Sequence, residues 1–123
     1  MMKRILILLL LTALVGCSSS KGAFNSYDKS AKASYYAAKF NGKSTASGER
    51  FSSSKLTAAH RQIPFGTKIK VTNLSNGKSV IVKVNDRGPF SGGFDIDLSK
   101  KAYMKIQDKK SRGHMMVSIE VAK

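Results

Sequence analysis

Between Thr67 and Asn85 apolar and polar positions alternate. Ile69 and Val71 stand between Lys68, Lys70 and Thr72, and Val80, Val82 and Val84 resume the alternation after the break at Leu74-Ser75-Asn76-Gly77-Lys78. A period of two is the pattern of a strand with one face buried, and Asn-Gly supplies the residues that tolerate positive φ at a tight turn. The pattern predicts a β-hairpin of Thr67–Asn73 and Ser79–Asn85. Shorter runs rich in β-branched or aromatic residues predict strands at Ala33–Tyr36, Lys55–Ala58, Gly93–Asp97 and Met115–Val121. One segment changes period: after Ser99, a natural helix cap, Ala102, Tyr103 and Ile106 fall on one face of a helix running to Ile106. Many short strands and one short helix predict a mainly β fold, a small closed barrel without exposed sheet edges.

The apolar run Ile5–Val15 is of a different kind. It follows Lys3-Arg4 and stops at Gly16, short of the ~20 residues that cross a bilayer, which is the anatomy of a signal peptide. Leu14-Val15-Gly16-Cys17 resembles a lipobox, and Cys17 is the sole cysteine. The expectation is a signal peptide over 1–16, a lipidated Cys17 opening a flexible tether to residue 32, and one domain over 33–123. The bland alternative is a buried thiol in a signal tail. With no second cysteine the domain has no disulfide and no disulfide-linked partner. The anchor would make a periplasm-facing membrane lipoprotein, and Ser18 and Ser19 after the cysteine favour the outer membrane.

Charge changes the picture of the partner. Removing Lys3 and Arg4 with the leader lowers the formal net charge from +15 to +13. Such a balance ordinarily suggests nucleic acid, but export argues for no nucleic acid and for the polyanions outside the inner membrane: lipid headgroups, surface polysaccharides and the carboxylate-bearing cell-wall glycan. A merely solvated basic surface is the plain alternative.

Acidic residues are few. Asp28 lies in the expected tether, and Asp108 and Glu120 read as surface groups, which leaves Glu49, Asp86, Asp95 and Asp97. Glu49 follows Thr45-Ala46-Ser47-Gly48 in a small-residue loop where a ligand can come close, or it is simply solvated. Asp86, in Asn85-Asp86-Arg87-Gly88-Pro89-Phe90, either ends its strand through an Asx-turn with Arg87 as ion-pair partner or projects a functional carboxylate. Asp95 and Asp97 alternate with Phe94 and Ile96 and share one strand face. His60 closes Leu56-Thr57-Ala58-Ala59-His60 and reads as structural or catalytic. One cysteine and two separated histidines give no metal spacing, and no nucleotide or dinucleotide fingerprint is present, so no cofactor is expected.

Taken together, Ala33-Ser34-Tyr35-Tyr36, Thr45–Phe51, Leu56–His60, Pro64-Phe65-Gly66-Thr67, Val71–Leu74, Val84–Phe90 and Ile96–Ser99 resemble, block by block and in order, the rare lipoprotein A family. Ala37 and Asn41 depart from its common pattern. The resemblance implies a six-stranded double-psi β-barrel and a lytic transglycosylase acting on peptidoglycan glycan strands, preferentially those stripped of stem peptides. It matches Glu49 and Asp86 to a pair of catalytic carboxylates and His60 to a required histidine. Asp97 matches an expansin-type acidic position, and Tyr36, Ser47 and Arg87 are candidate substrate contacts. With those implied roles, Glu49, His60 and Asp86 are expected to meet in one groove with Asp97 on its floor or edge, and Asp86, beside the barrel wall, is expected to be the proton donor. A glycan-binding module that grips without cutting, and a passive membrane-to-wall tether, use the same groove without the chemistry.

Overall fold

The computed structural model describes residues 23–123; the expected leader, Cys17 and the first part of the tether lie outside the described residues. Six strands, β1 (Phe24–Tyr35), β2 (Thr57–His60), β3 (Lys68–Asn73), β4 (Ser79–Asp86), β5 (Ile96–Leu98) and β6 (Met115–Ala122), close a barrel in the order β1-β5-β2-β4-β3-β6, with one helix, α1 (Lys100–Ile106). β1 with β5 and β2 with β4 pair in parallel, and the other four ladders are antiparallel.

The hairpin forms as its alternation dictates. Ile69 and Val71 of β3 and Val80, Val82 and Val84 of β4 are buried, and Gly77 sits at a φ of 75° in the turn between them. They meet Ile96 and Leu98 of β5 and Val117 and Ile119 of β6 in one core, each such side chain contributing ~1.5–3 kcal/mol by burial. Helix α1 packs on β4, β1 and β5 through Ala102, Tyr103 and Ile106. Its N-terminus is capped by Ser99 Oγ, which accepts from Ala102 N at 3.3 Å. At its other end Asn73 Nδ2 donates to Ile106 O at 2.8 Å, so a fully buried amide satisfies a helix-terminal carbonyl.

The expected tether over 17–32 is corrected. β1 begins at Phe24 and pairs with β6 from Phe24↔Ala122 onward, so Phe24–Lys32 belong to the barrel. Register shifts between Ser26 and Asp28 and between Asp28 and Ala31 interrupt this stretch, and of Phe24–Lys32 only Ala31 is buried. An amphipathic period is therefore missing where a strand exists. Two strands are also displaced from their expected positions: β2 runs to His60, with all four residues buried, and β5 is the three residues Ile96–Leu98.

Candidate active site

Register builds the site. Ala59 of β2 pairs with Asp86 of β4 on one side and Asp97 of β5 on the other, and Asp97 pairs onward with Ser34 of β1. Cross-strand partners share a sheet face, so Asp86, Ala59, Asp97 and Ser34 form one row, with the alanine methyl leaving space between the acids. Strict alternation along β4 would turn Asp86 inward with Val80, Val82 and Val84. A bulge prevents this. The register shifts between Ala58↔Val84 and Ala59↔Asp86, leaving Asn85 as the extra residue and bringing Asp86 to the face of Asp97.

Both carboxylates line a cavity of about 700 Å³ together with Ser34, Tyr36, Lys43, Arg87 and Phe90. Asp86 only accepts hydrogen bonds: Oδ2 from Tyr36 Oη at 2.6 Å, and Oδ1 from the amides of Ala46 at 2.8 Å and Arg87 at 2.9 Å. Tyr36 is stacked on Phe51 with centroids 4.4 Å apart. Burial, then the hydrogen bond to Asp86 and its charge, raise the phenol well above its ordinary value, so it stays a donor. Asp97 accepts from Ser34 Oγ. Burial pushes its carboxyl above the usual carboxylate range, and the Asp86 charge adds to this against the opposing Ser34 hydrogen bond.

Glu49 and His60 do not line that cavity. Glu49 is exposed and bonds Lys83 Nζ at 2.7 Å, and this contact holds its carboxyl below the usual range. Its loop nevertheless reaches the site through its backbone. Thr45 N donates to Glu49 O at 2.7 Å, Ser47 N to Asn85 O at 3.2 Å, and the intervening Ala46 amide is the one on Asp86. Ser47 Oγ works inside this loop, against Thr45 Oγ1 and the Glu49 amide.

His60 pairs with Ile96, one residue along from the Ala59–Asp97 pair, and so falls on the other face. It is buried, edge-on to Tyr27, and its Nδ1 accepts the amides of Gln62 at 3.1 Å and Ile63 at 3.2 Å. A ring nitrogen that accepts carries no proton, so the imidazole is neutral. Burial, with the neighbouring Arg61 charge, lowers its pKa in the same sense. The turn it shapes receives Arg87, whose guanidinium donates to His60 O and Ile63 O at 3.3 and 2.9 Å and lies 3.9 Å over the Phe65 ring. Arg87 thus touches Asp86 by its amide and is not its ion-pair partner. Asp86, Asp97 and Tyr36 thus share the cavity, which the loop of Glu49 and the turn of His60 brace from two sides without their side chains lining it. Ser34 and Lys83 were not singled out from sequence; the signal for Ser34 was its place in the Ala33–Tyr36 block.

The barrel has known counterparts. It superposes on the Streptomyces papain inhibitor with a TM-score of 0.61 at 22% identity, covering 79% of this chain and 96% of that one. A Clavibacter michiganensis expansin solved with cellohexaose gives 0.61 at 18% identity, covering 79% and 51%. The fold is a double-psi β-barrel.

The family follows from sequence. Residues 28–119 match the lytic transglycolase family model, and the chain belongs to that family. Proteins named probable endolytic peptidoglycan transglycosylase RlpA are 63% identical over 70 residues in a Synechocystis species, covering 57% of this chain and 22% of the relative, and 53% identical over 90 residues in Treponema pallidum, covering 73% and 28%. The Haemophilus influenzae protein named endolytic peptidoglycan transglycosylase RlpA is 50% identical over 95 residues, covering 77% and 33%. The matched segment is about a third or less of each of these relatives.

Proposed function

We propose that this barrel is an endolytic peptidoglycan transglycosylase that cuts MurNAc–GlcNAc bonds with formation of 1,6-anhydro-MurNAc ends. The observation that carries the reading is the pair of half-buried carboxylates in one cavity held in unlike environments, one accepting three hydrogen bonds and the other with its pKa raised by desolvation. That is the asymmetry acid–base cleavage of a glycoside requires. The family and the names of the relatives support it.

Asp97 takes the part of acid. Its proton passes to the glycosidic oxygen, the C1–O bond breaks with the electron pair leaving on that oxygen, and positive charge develops at C1. The C6 hydroxyl of the same sugar closes on C1 and returns its proton to Asp97, so the products sum to the substrate and no water enters. Asp86, held in place by the Tyr36 hydroxyl and the amides of Ala46 and Arg87, faces the positive centre and stabilises it. This assignment differs from the sequence expectation of Asp86 as donor, because Asp86 is surrounded by donors and Asp97 is the carboxyl whose burial favours holding a proton. Glu49, through Lys83, and His60, through the turn that receives Arg87, are positioning residues in this scheme. Tyr36 and Arg87 remain candidate substrate contacts at the cavity wall, and Ser47 acts through its loop.

The lysine-rich chain suits glycan whose stem peptides are gone and whose lactyl carboxylates are free, and such a substrate places the domain at the cell envelope. Anchoring by lipid on Cys17 belongs to the same reading; among the described residues no helix is long and apolar enough to cross a membrane. Cys17→Ser is expected to move the protein from the membrane to the soluble fraction, and retention with full lipid labelling contradicts the anchor. The activity is tested by mass analysis of products from denuded glycan: anhydro-muramyl ends support it, hydrolysed ends indicate a different enzyme, and intact strands leave the binding module.

A further inference from the structure

Among the described residues Phe90 is 81% exposed, while the other exposed large apolar side chains lie between 38% and 50%. It stands on the wall that two cavities share: Pro89, Phe90, Ser91 and Phe94 line both the acidic cavity and a second one of about 320 Å³ bounded by Arg61 and Asp95. A single exposed ring is ordinary on a protein surface; what sets this one apart is its place on the wall shared by two cavities, one of which holds Asp86 and Asp97.

The segment carrying the ring is braced. Arg61 Nη1 donates to Pro89 O at 2.7 Å and Phe94 O at 2.8 Å, and Nη2 pairs with Asp95 Oδ1 at 3.2 Å, so one guanidinium ties both ends of the 89–94 stretch. The ring also lies against Gly88, where an added Cβ would sit 3.5 Å from it. By contrast, Phe40, the other exposed phenylalanine of the acidic cavity, already has the ammonium groups of Lys39 and Lys43 at 5.4 and 5.7 Å and the edge of Tyr36. Phe90 is the aromatic surface that is both rigidly presented and uncovered.

We propose that Phe90 is a sugar-stacking platform that carries a β-linked amino-sugar strand from the Asp86–Asp97 cavity into the Arg61–Asp95 cavity. The inference rests on the glycan reading of the site and adds to it a second binding region. A β-linked pyranose presents axial C–H bonds on its flat side, weakly positive and apolar, and they match the negative face of an aromatic ring. Arg61 is a positioning residue that holds the platform.

Formation of anhydro-muramyl ends from denuded glycan strands, measured against glycan concentration, tests the proposal. Phe90→Ala is expected to raise KM about tenfold with kcat within about twofold, and Phe90→Tyr to restore wild-type behaviour. The chain contains no tryptophan, so Phe90→Trp introduces a single reporter whose emission should shift on adding the strands. An unchanged KM in Phe90→Ala, or silent emission from Phe90→Trp while that variant turns the strands over, overturns the platform and leaves the glycan reading standing. An emission shift with phosphatidylethanolamine vesicles and none with glycan assigns the ring to a membrane and overturns the platform. Wild-type protein that neither binds nor cuts denuded glycan overturns the glycan reading, and the platform with it.

Discussion

The row Asp86–Ala59–Asp97 and the loop over 44–50 both bring carboxylates toward the same end of the barrel, in different surroundings. The row is backbone-paired across three strands, so its side chains inherit the environment of the barrel wall, and Asp97 loses enough water to have its pKa raised. The loop presents Glu49 to solvent, where Lys83 neutralises it, while its backbone does the reaching. Residue type alone does not make an acid catalyst. Burial away from cations raises a carboxyl's pKa, and at Asp97 the strands supply it.

The largest expected effect sharpens that contrast. Asp86→Asn and Asp97→Asn each remove a charge or an acidic proton from the cavity and are expected to lower the rate of anhydro-end formation at least ~100-fold. Asp97→Asn should also leave the fold at least as stable at neutral pH. The sign follows from linkage: a carboxyl whose folded pKa is raised stabilises the fold below its unfolded pKa and loses that contribution as pH rises through the folded value. Thermal melts at pH 7 check this, and a marked loss of stability in Asp97→Asn contradicts it. For the same reason the wild-type rate should fall as pH rises through the raised pKa of Asp97, and the pH–rate profile shows whether it does.

Effects on the loop should be smaller and shared. If Glu49 works through Lys83 to hold the Ala46 amide on Asp86, Glu49→Gln and Lys83→Met cost similar factors, about tenfold or ~1.4 kcal/mol of barrier. A loss of a hundredfold or more in Glu49→Gln beside a fully active Lys83→Met makes Glu49 a reacting group and breaks the contrast. The smallest expected effect concerns His60, a buried imidazole. Its folded pKa is lowered, so its contribution is present above the unfolded value near 6.5 and is lost as pH falls through the folded one, opposite in sign to Asp97. Urea melts at pH 7.5 and pH 5.5 should show this loss in wild type and its reduction in His60→Asn.

Alternation made β3 and β4 legible from sequence, because each has one face in the core, β-branched content marked β6, and the Ser99 cap with Ala102, Tyr103 and Ile106 did the same for α1. Phe24–Lys32 was not legible: a strand whose residues are nearly all exposed or half-exposed and twice shifted in register shows no period of two. β2 was displaced because Thr57–His60 is buried throughout. Within the site, the block patterns pointed to Asp86, Tyr36 and Asp97, but the Asn85 bulge that orients Asp86 and the Lys83 that captures Glu49 are register and distance effects between residues far apart in sequence. The same register puts His60 on the face of Ile96, one residue from the row where it was expected.

The central claim is that the half-buried strand carboxylate Asp97, and not the loop carboxylate, donates the proton. Its most direct test is the initial rate of 1,6-anhydro-muramyl end formation from denuded glycan by folded Asp97→Asn and Glu49→Gln, assayed side by side with wild type by mass spectrometry. The account predicts that Asp97→Asn falls at least ~100-fold while Glu49→Gln keeps a readily measured fraction of activity. Wild-type rates from Asp97→Asn, with Glu49→Gln inactive, contradict it.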